Sequence, residues 1–232
     1  MHCPTFRPPV EEFLNGARAA FPTLVGLVPF GLVVALASAH AGLSYSQVFG
    51  FSMLVFAGAA QLVVTKLIEA GTAPLVAIAS GIVINLRFVI YSISLFDSFR
   101  NQNPAKSAVM AHLINDQAYS VTHVRKTHGG STAHLSLFYL GAAFLVFAAW
   151  QATMGIGMSI AKSPIFNFED VGYVVALSFV ALLSPLLKSK ATWAALSVGA
   201  CVSALVYVPL NANVLLATIL GAATGWAVQR WQ

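Results

Sequence analysis

Charged side chains are scarce in this chain. Aspartate, glutamate, lysine and arginine together make up 8% of its residues, whereas soluble domains average about 25%. Such a chain cannot cover itself with a water-facing surface, which excludes a soluble globular domain. Hydrophobic residues make up 58% of it, and several apolar runs approach the ~20 residues that a helix needs to cross a bilayer. The composition therefore predicts an integral membrane protein surrounded by lipid.

Cysteines and catalytic motifs are also lacking. The two cysteines, Cys3 and Cys201, form neither a disulfide framework nor a metal-ligand spacing, and the histidines show no compact metal-site spacing. No glycine-rich phosphate loop, nucleophile elbow or paired-carboxylate motif occurs, which argues against an enzyme. The lysines and arginines are dispersed, so the net charge of +5 is better explained by positive cytoplasmic loops than by nucleic acid. We expect no metal ion, no cofactor and no catalytic residues.

Seven apolar segments follow one another along the chain, separated by glycine, proline, asparagine and charged residues. They lie at residues 20–40, 46–68, 73–96, 134–158, 172–187, 191–208 and 212–229. This pattern predicts an all-α bundle, one transmembrane domain over residues 1–232, with seven or eight membrane segments, some broken or re-entrant. Residues 1–18 form a polar N-terminal segment whose amphipathic part could lie on the membrane surface.

The stretch 106–126 is ambiguous. Its apolar residues follow a helical spacing, but it also carries two histidines and the polar run Asn115, Asp116 and Gln117. It could lie flat at the interface, or it could enter the membrane with its polar face turned towards protein. Counting lysines and arginines outside the spans favours a crossing, which gives eight segments with both termini in the cytoplasm.

Arg87 stands inside an otherwise uncharged apolar run, "APLVAIASGIVINLRFVIYSISLF". An arginine at the centre of a membrane helix costs about 2.5–3.5 kcal/mol even on the milder insertion scales, so folding alone does not favour it there. One interpretation is that Arg87 binds an anionic group. The alternative is that it snorkels to an interface or ties helices together through backbone carbonyls. Asn85 lies close by in the sequence, and Tyr91 lies four residues later on the same helical face as Arg87.

Two apolar runs contain signals of interrupted helices. In "FPTLVGLVPFGLVV", Pro22, Pro29 and Gly31 predict a break near 28–31 that would free backbone N–H groups around Phe30 and Gly31, although a simple kink is the alternative. In "VFAGAAQ", a similar break is expected near Gly58. The small residues there also favour close helix packing.

Two polar side chains in membrane segments need partners. Gln61 either bridges helices or lines a substrate path. Asp116, within "INDQAY", is one of seven acidic residues in the chain. It is either an exposed carboxylate on a surface helix or, if its helix enters the bundle, the natural partner for Arg87 or for a substrate ammonium group.

Four stretches taken together, "GLVPFG", "VFAGAAQ", "INLRFVIYSISL" and "INDQAY", resemble the AzlC family of branched-chain amino-acid export permeases. The resemblance implies a multi-pass permease of the bacterial inner membrane. It also implies proton-driven export and a small, hydrophobic AzlD-type partner subunit. The chain departs from the family at Gln117, where glutamate is common, and at Phe88, where histidine is frequent. Both departures remove a titratable group and point to a different coupling or substrate.

The sequence thus predicts a secondary transporter that exports branched-chain or other neutral amino acids. The substrate carboxylate would meet Arg87 or freed backbone N–H groups, the ammonium would meet Asp116, and Phe30, Phe56, Phe88 and Tyr91 would supply an apolar pocket. Two alternatives stay open: a non-transporting membrane scaffold or partner subunit, and a carrier of another small anionic or zwitterionic substrate. A homo-oligomer is compatible with either reading. The residues predicted to bind substrate are Arg87, Asn85, Gln61, Asp116, Phe30, Gly31, Gly58 and Tyr91.

Overall fold

The computed structural model describes residues 8–127, 134–163, 189–205 and 213–230. The regular elements in these ranges are all helical, which confirms the predicted class. The predicted segment 172–187 lies outside the described residues. The helices are α1 (Pro9–Ala20), α2 (Leu24–His40), α3 (Tyr45–Leu54), α4 (Gly58–Glu69), α5 (Pro74–Phe99), α6 (Pro104–His112), α7 (Asp116–Thr127), α8 (Leu135–Ala161), α9 (Lys190–Leu205) and α10 (Asn213–Arg230).

Three helical stretches within the described residues are long and apolar enough to cross a membrane. The first joins α1 to α2 through a short 3-10 turn, and the other two are α5 and α8. The same three helices contribute many of the buried apolar side chains, most of all α8. They therefore form the frame around which the shorter helices are arranged.

The helix break predicted at residues 28–31 is wrong, because α2 continues through Pro29 and Gly31 without interruption. Gly31 packs against α8 so closely that a Cβ atom there would lie 2.8 Å from Cγ2 of Thr153. The glycine therefore serves a tight helix contact rather than a break. The deviation from regular α-helix lies earlier, at the 3-10 turn Phe21–Thr23 that contains Pro22.

The predicted interruption near Gly58 is present, since residues 55–57 separate α3 from α4. Two contacts with α2 give the direction of α4. Phe30 lies against Gly58, and the imidazole of His40 lies 3.4 Å from the carboxylate of Glu69. α4 therefore runs parallel to α2 and returns to the end of the bundle where α3 began. The pair α3–α4, here called the first hairpin, is re-entrant.

The stretch 104–127 is a second re-entrant hairpin, formed by α6 and α7. At its start the Nζ of Lys106 donates to Ser136 Oγ over 2.7 Å, and near its finish the guanidinium of Arg125 lies 4.4 Å from the ring of Phe138. Both ends of the hairpin therefore lie beside the first turns of α8. The predicted crossing of this stretch is wrong, and it does not lie flat either. The stretch enters the bundle as α6, is interrupted at residues 113–115, and returns as α7 to the end from which it entered.

The two hairpins enter from opposite ends of the bundle. Phe99 and Tyr139 pack with ring centroids 5.5 Å apart, which places the end of α5 beside the start of α8. Tyr45 and Ser159 share a 2.7 Å hydrogen bond, which places the end of α8 beside the start of α3. We call these two ends the Phe99 end and the His40 end. The first hairpin enters from the His40 end, and the second from the Phe99 end.

A long helix followed by a re-entrant hairpin therefore occurs twice, in opposite orientations. The spacing is regular, because 58 residues separate Val55 from Leu113 and Glu69 from Thr127. Inverted repeats of this kind are common in transporters and need no visible sequence similarity. Both hairpin tips reach the middle of α8. There the rings of Phe56 and His112 each pack against the ring of Phe147, with centroid distances of 5.1 and 6.4 Å.

Glycines also permit close packing at both termini of the described chain. In α1, Gly16 faces the backbone carbonyl of Phe138, while Gly141 in α8 faces the carbonyl of Phe13. The predicted amphipathic N-terminal helix is thus packed against α8. In α10, Gly221 and Gly225 lie against α9 in a small-xxx-small pattern.

The re-entrant course of the second hairpin predicts a labelling pattern for single cysteines. In a background with Cys3 and Cys201 replaced by serine, Asn101→Cys and Thr127→Cys should react with a membrane-impermeant maleimide from the same side of the membrane. Ala70→Cys, at the His40 end, should react from the opposite side. Labelling of Asn101→Cys and Thr127→Cys from different sides would show that the stretch crosses.

Candidate functional site

Arg87 lies at the midpoint of α5, which runs from Pro74 to Phe99. At 1.5 Å per residue, the α-carbon of Arg87 is about 18–20 Å from either end of the helix. An arginine side chain cannot span that distance, so snorkelling to an interface does not explain this residue. The guanidinium must find its partner within the bundle.

That partner is Asp116, the first residue of α7, as the sequence suggested. The Nη1 of Arg87 lies 2.9 Å from Asp116 Oδ2. The hydroxyl of Tyr91 donates to the other carboxylate oxygen over 2.8 Å. The Nε of Arg87 is buried and lacks a hydrogen-bond partner among the described residues. The guanidinium is therefore paired with Asp116 and lies 5.0 Å from the ring centroid of Phe88, while its Nε stays without a hydrogen-bond partner among the described residues.

The break at the tip of the second hairpin positions Asp116. Asn115 accepts a hydrogen bond from the backbone N–H of Ala118 and donates one to the carbonyl of Leu113, so its side chain caps the start of α7. Asp116 then stands in the first turn of the helix, where the helix dipole favours a negative charge. The interruption thus presents the carboxyl group of Asp116 at the level of Arg87.

The ion pair is partly open. The side chain of Arg87 is 32% exposed and that of Asp116 is 42% exposed. Both charges therefore lie partly outside the packed contacts of the described residues.

An aromatic layer borders the pair. The rings of Tyr91 and Tyr119 stack with their centroids 4.1 Å apart, and Tyr119 in turn stacks on His123. The hydroxyl of Tyr119 donates to Ser94 Oγ on α5. Sequence reasoning missed Tyr119, although its position three residues after Asp116 places it on the same face of α7.

A second cluster forms around Trp150 at the middle of α8. Its indole N–H donates to Gln61 Oε1 over 3.1 Å, and its ring lies 5.9 Å from that of Phe30. A Cβ atom on Gly58 would lie 2.5 Å from Cη2 of Trp150. Gly31 also contacts this ring. The cluster is closely packed, and Gln61 and Trp150 are each 2% exposed.

Two predictions about this cluster need correction. Gly31 and Phe30 lie inside the continuous helix α2, so no break frees their backbone N–H groups. Gln61 bridges helices through Trp150 rather than standing beside open space. Trp150 itself was missed, because a tryptophan within a long apolar run looks like an ordinary membrane residue.

Asn85 belongs to neither cluster. It lines a cavity of about 400 Å³ between the first hairpin and α5, together with Val55 and Ala60 at the helix break. Its Oδ1 atom is buried and has no hydrogen-bond partner among the described residues. Because Asn85 and Arg87 are two positions apart on one helix, they face different sides of α5. The structure thus divides the eight predicted residues among the ion pair, the Trp150 cluster and this cavity.

Two re-entrant hairpins reach the middle of the bundle, and the second of them brings Asp116 to Arg87, which defines a helical membrane protein with interrupted helices. The chain belongs to the AzlC protein family, whose model matches residues 22–163. This range covers both hairpins and the three long helices from the start of α2 onward.

Relatives of the chain are membrane proteins. The chain is 24% identical to the branched-chain amino acid transport protein AzlC of Bacillus subtilis strain 168, over 89% of this chain and 84% of that one. It is 24% identical to the inner membrane protein YgaZ of Escherichia coli K12, over 79% and 77% of the two chains. It is 25% identical to a membrane protein of Archaeoglobus fulgidus, over 92% and 94%. No solved structure gives a significant match.

The ion pair predicts a measurable coupling between Arg87 and Asp116. In a double-mutant cycle with Arg87→Gln and Asp116→Asn, thermal unfolding in detergent should give a coupling of about 1 kcal/mol, because each single variant leaves one charge unpaired. The matched control is the pair Lys66 and Glu69, which has a similar side-chain exposure and lies at the His40 end, at 2.8 Å within one helix; there we expect a few tenths of a kcal/mol. Equal couplings in the two cycles would show that the central pair does not hold α5 to α7.

Proposed function

We propose that this chain is the large subunit of a secondary transporter that exports branched-chain or other neutral amino acids. One observation carries the proposal: a partly open pair of opposite charges, Arg87 and Asp116, stands at the midpoint of a membrane helix. A neutral amino acid carries the same two charges, on its carboxylate and its ammonium group. The site therefore offers one protein charge for each charge of the substrate.

Substrate would enter by exchanging partners with the pair. Its carboxylate would take the place of Asp116 on the guanidinium, a group that binds carboxylates in a bidentate manner. Its ammonium group would bind the Asp116 carboxylate. Each charge in the site stays paired before and after the exchange, which avoids the cost of an isolated charge in the membrane. Tyr91, Tyr119 and Phe88 supply apolar surface for the substrate side chain.

The orientation of the bundle follows from its basic residues. Four lysines and arginines lie at the Phe99 end, in or beside the second hairpin: Arg100, Lys106, Arg125 and Lys126. Lys66 and Lys162 lie at the His40 end. Because cytoplasmic loops carry the excess of positive charge, we place the Phe99 end in the cytoplasm of a bacterial cell, with the chain passing repeatedly through the inner membrane.

The printed name of the Bacillus subtilis relative supports branched-chain amino acids as the first substrates to test. The family resemblance further suggests a small AzlD-type partner subunit. Export assays should therefore be run with and without such a subunit, using a panel of labelled neutral amino acids.

Replacing Arg87 with glutamine should abolish export while leaving membrane insertion intact, because the substrate carboxylate loses its counter-charge. Arg87→Lys should also fail or transport weakly, since an ammonium group cannot bind a carboxylate in the bidentate manner of a guanidinium. The measurement is the amount of labelled leucine that remains inside cells supplied with a leucine-containing dipeptide. Lys66→Gln, which removes an exposed cation at the other end, is the control and should export normally.

Two results would contradict the proposal. Unchanged export by Arg87→Gln would remove the pair from the transport mechanism. A correctly inserted wild-type chain that moves no amino acid, with or without a partner subunit, would favour the scaffold alternative.

A further inference from the structure

A second cavity, of about 300 Å³, lies between α5, α6 and α8 in the half of the bundle that ends at Phe99. Its volume is at the lower end of the range of about 300–1,000 Å³ typical of small-molecule sites. No residue predicted from the sequence to bind substrate lines it. Its position relative to the ion pair nevertheless suggests a role.

The inner end of this cavity reaches the neighbourhood of the ion pair. Ile114, one of its lining residues, belongs to the tip of the second hairpin, two positions before Asp116. Ser92, another lining residue, follows Tyr91, whose hydroxyl binds the Asp116 carboxylate. The cavity therefore ends beside the tip of the second hairpin, next to the pair in the sequence, although Arg87, Tyr91 and Asp116 do not line it.

The outer end of the cavity is charged and open. Arg100 lines it at the C-terminal end of α5, where its side chain is exposed, and Ser107 lines it from α6. Ser92 and Arg100 are eight residues apart on the helix axis, which corresponds to about 12 Å. The cavity thus extends from the Phe99 end to near the middle of α5.

The walls between the two ends are mostly apolar. Leu95 and Phe99 contribute from α5, and Met110 contributes from α6. A cation at the mouth, apolar walls and a pair of opposite charges beyond the inner end match a zwitterion with an apolar side chain. They fit a polyanion or a sugar poorly, because the walls offer few hydrogen-bonding groups.

We propose that this cavity is a water-filled vestibule through which neutral amino acids with apolar side chains pass between the Phe99 end and the Arg87–Asp116 pair. Arg100 makes the first contact with the substrate carboxylate at the mouth. This inference rests on the proposed function, and it adds the route of access and the residue that receives the substrate.

Single cysteines along the cavity test the route independently of transport. With Cys3 and Cys201 replaced by serine, Ser92→Cys is compared with Ile93→Cys, its neighbour on the helix. Ile93 is 71% exposed on the outside of the bundle, where an apolar side chain meets lipid. The reagent is a charged, membrane-impermeant methanethiosulfonate, applied separately to inside-out and right-side-out vesicles.

We expect Ser92→Cys to react at least about tenfold faster than Ile93→Cys, because only the thiolate reacts and thiolates form in water rather than in hydrocarbon. Reaction should occur from the side of the Phe99 end, and saturating leucine should slow it. A Ser92→Cys variant as inert as Ile93→Cys, in a protein that still exports, would overturn the vestibule while leaving the proposed function standing.

Other outcomes separate the two proposals. Reaction of Ser92→Cys from the opposite side would also overturn the vestibule. Rapid reaction that no neutral amino acid slows, in a protein without export, would overturn the substrate assignment and with it the proposed function.

Arg100→Gln tests the mouth by transport kinetics. Loss of a receiving contact should raise KM about tenfold and leave kcat unchanged, since that contact is made before the substrate reaches the pair. The same substitution should leave thermal unfolding in detergent unchanged, because Arg100 is exposed. An unaltered KM would remove Arg100 from the route.

Discussion

Every backbone polar group inside a bilayer needs a partner, and this constraint governs where the two helices can be interrupted. At the first tip, the N–H of Ala57 donates to the carbonyl of Val55, and its own carbonyl accepts from Gln61. At the second tip, the side chain of Asn115 hydrogen-bonds to the backbone on both sides of the break, at Leu113 and at Ala118. The breaks are tolerated because the tips lie against the long helices rather than in lipid. Mid-bundle is thus the one depth at which irregular backbone and charged side chains are both supported.

The two tips use this setting differently. The first tip is packed under Trp150 and Phe30, with glycine at the contact, and its polar side chain Gln61 accepts a hydrogen bond from Trp150. The second tip places Asp116 opposite Arg87 and leaves both side chains partly open. A scaffold would show the first kind of arrangement at both positions, since closed contacts hold helices together best. The contrast between a closed tip and an open one is therefore an argument for a carrier.

The sequence predicted the membrane setting and the helical class, because apolar length and the scarcity of charge leave few alternatives. It offered the pairing of Arg87 with Asp116 as one alternative, conditional on the hairpin entering the bundle. It did not predict that the hairpins turn back, since hydropathy reports how long an apolar run is and not which way its second half points. The break predicted at Pro29 was wrong because α2 stays helical through the proline, while Gly31 serves a close contact with α8. The role of Trp150 was missed because its partner Gln61 lies 89 positions away in the chain.

The inverted repeat is structural, but its chemistry is one-sided. With the spacing of 58 residues, Arg87 corresponds to Pro29 and Asp116 corresponds to Gly58. A rocking motion that exchanged the conformations of the two repeats would therefore connect two states of different free energy. One repeat carries the Arg87–Asp116 ion pair, and the other carries a proline and a glycine at the equivalent positions. In the proposed transporter, the two conformations of the empty protein would therefore differ in free energy. Bound substrate or a proton would be needed to make the two free energies equal.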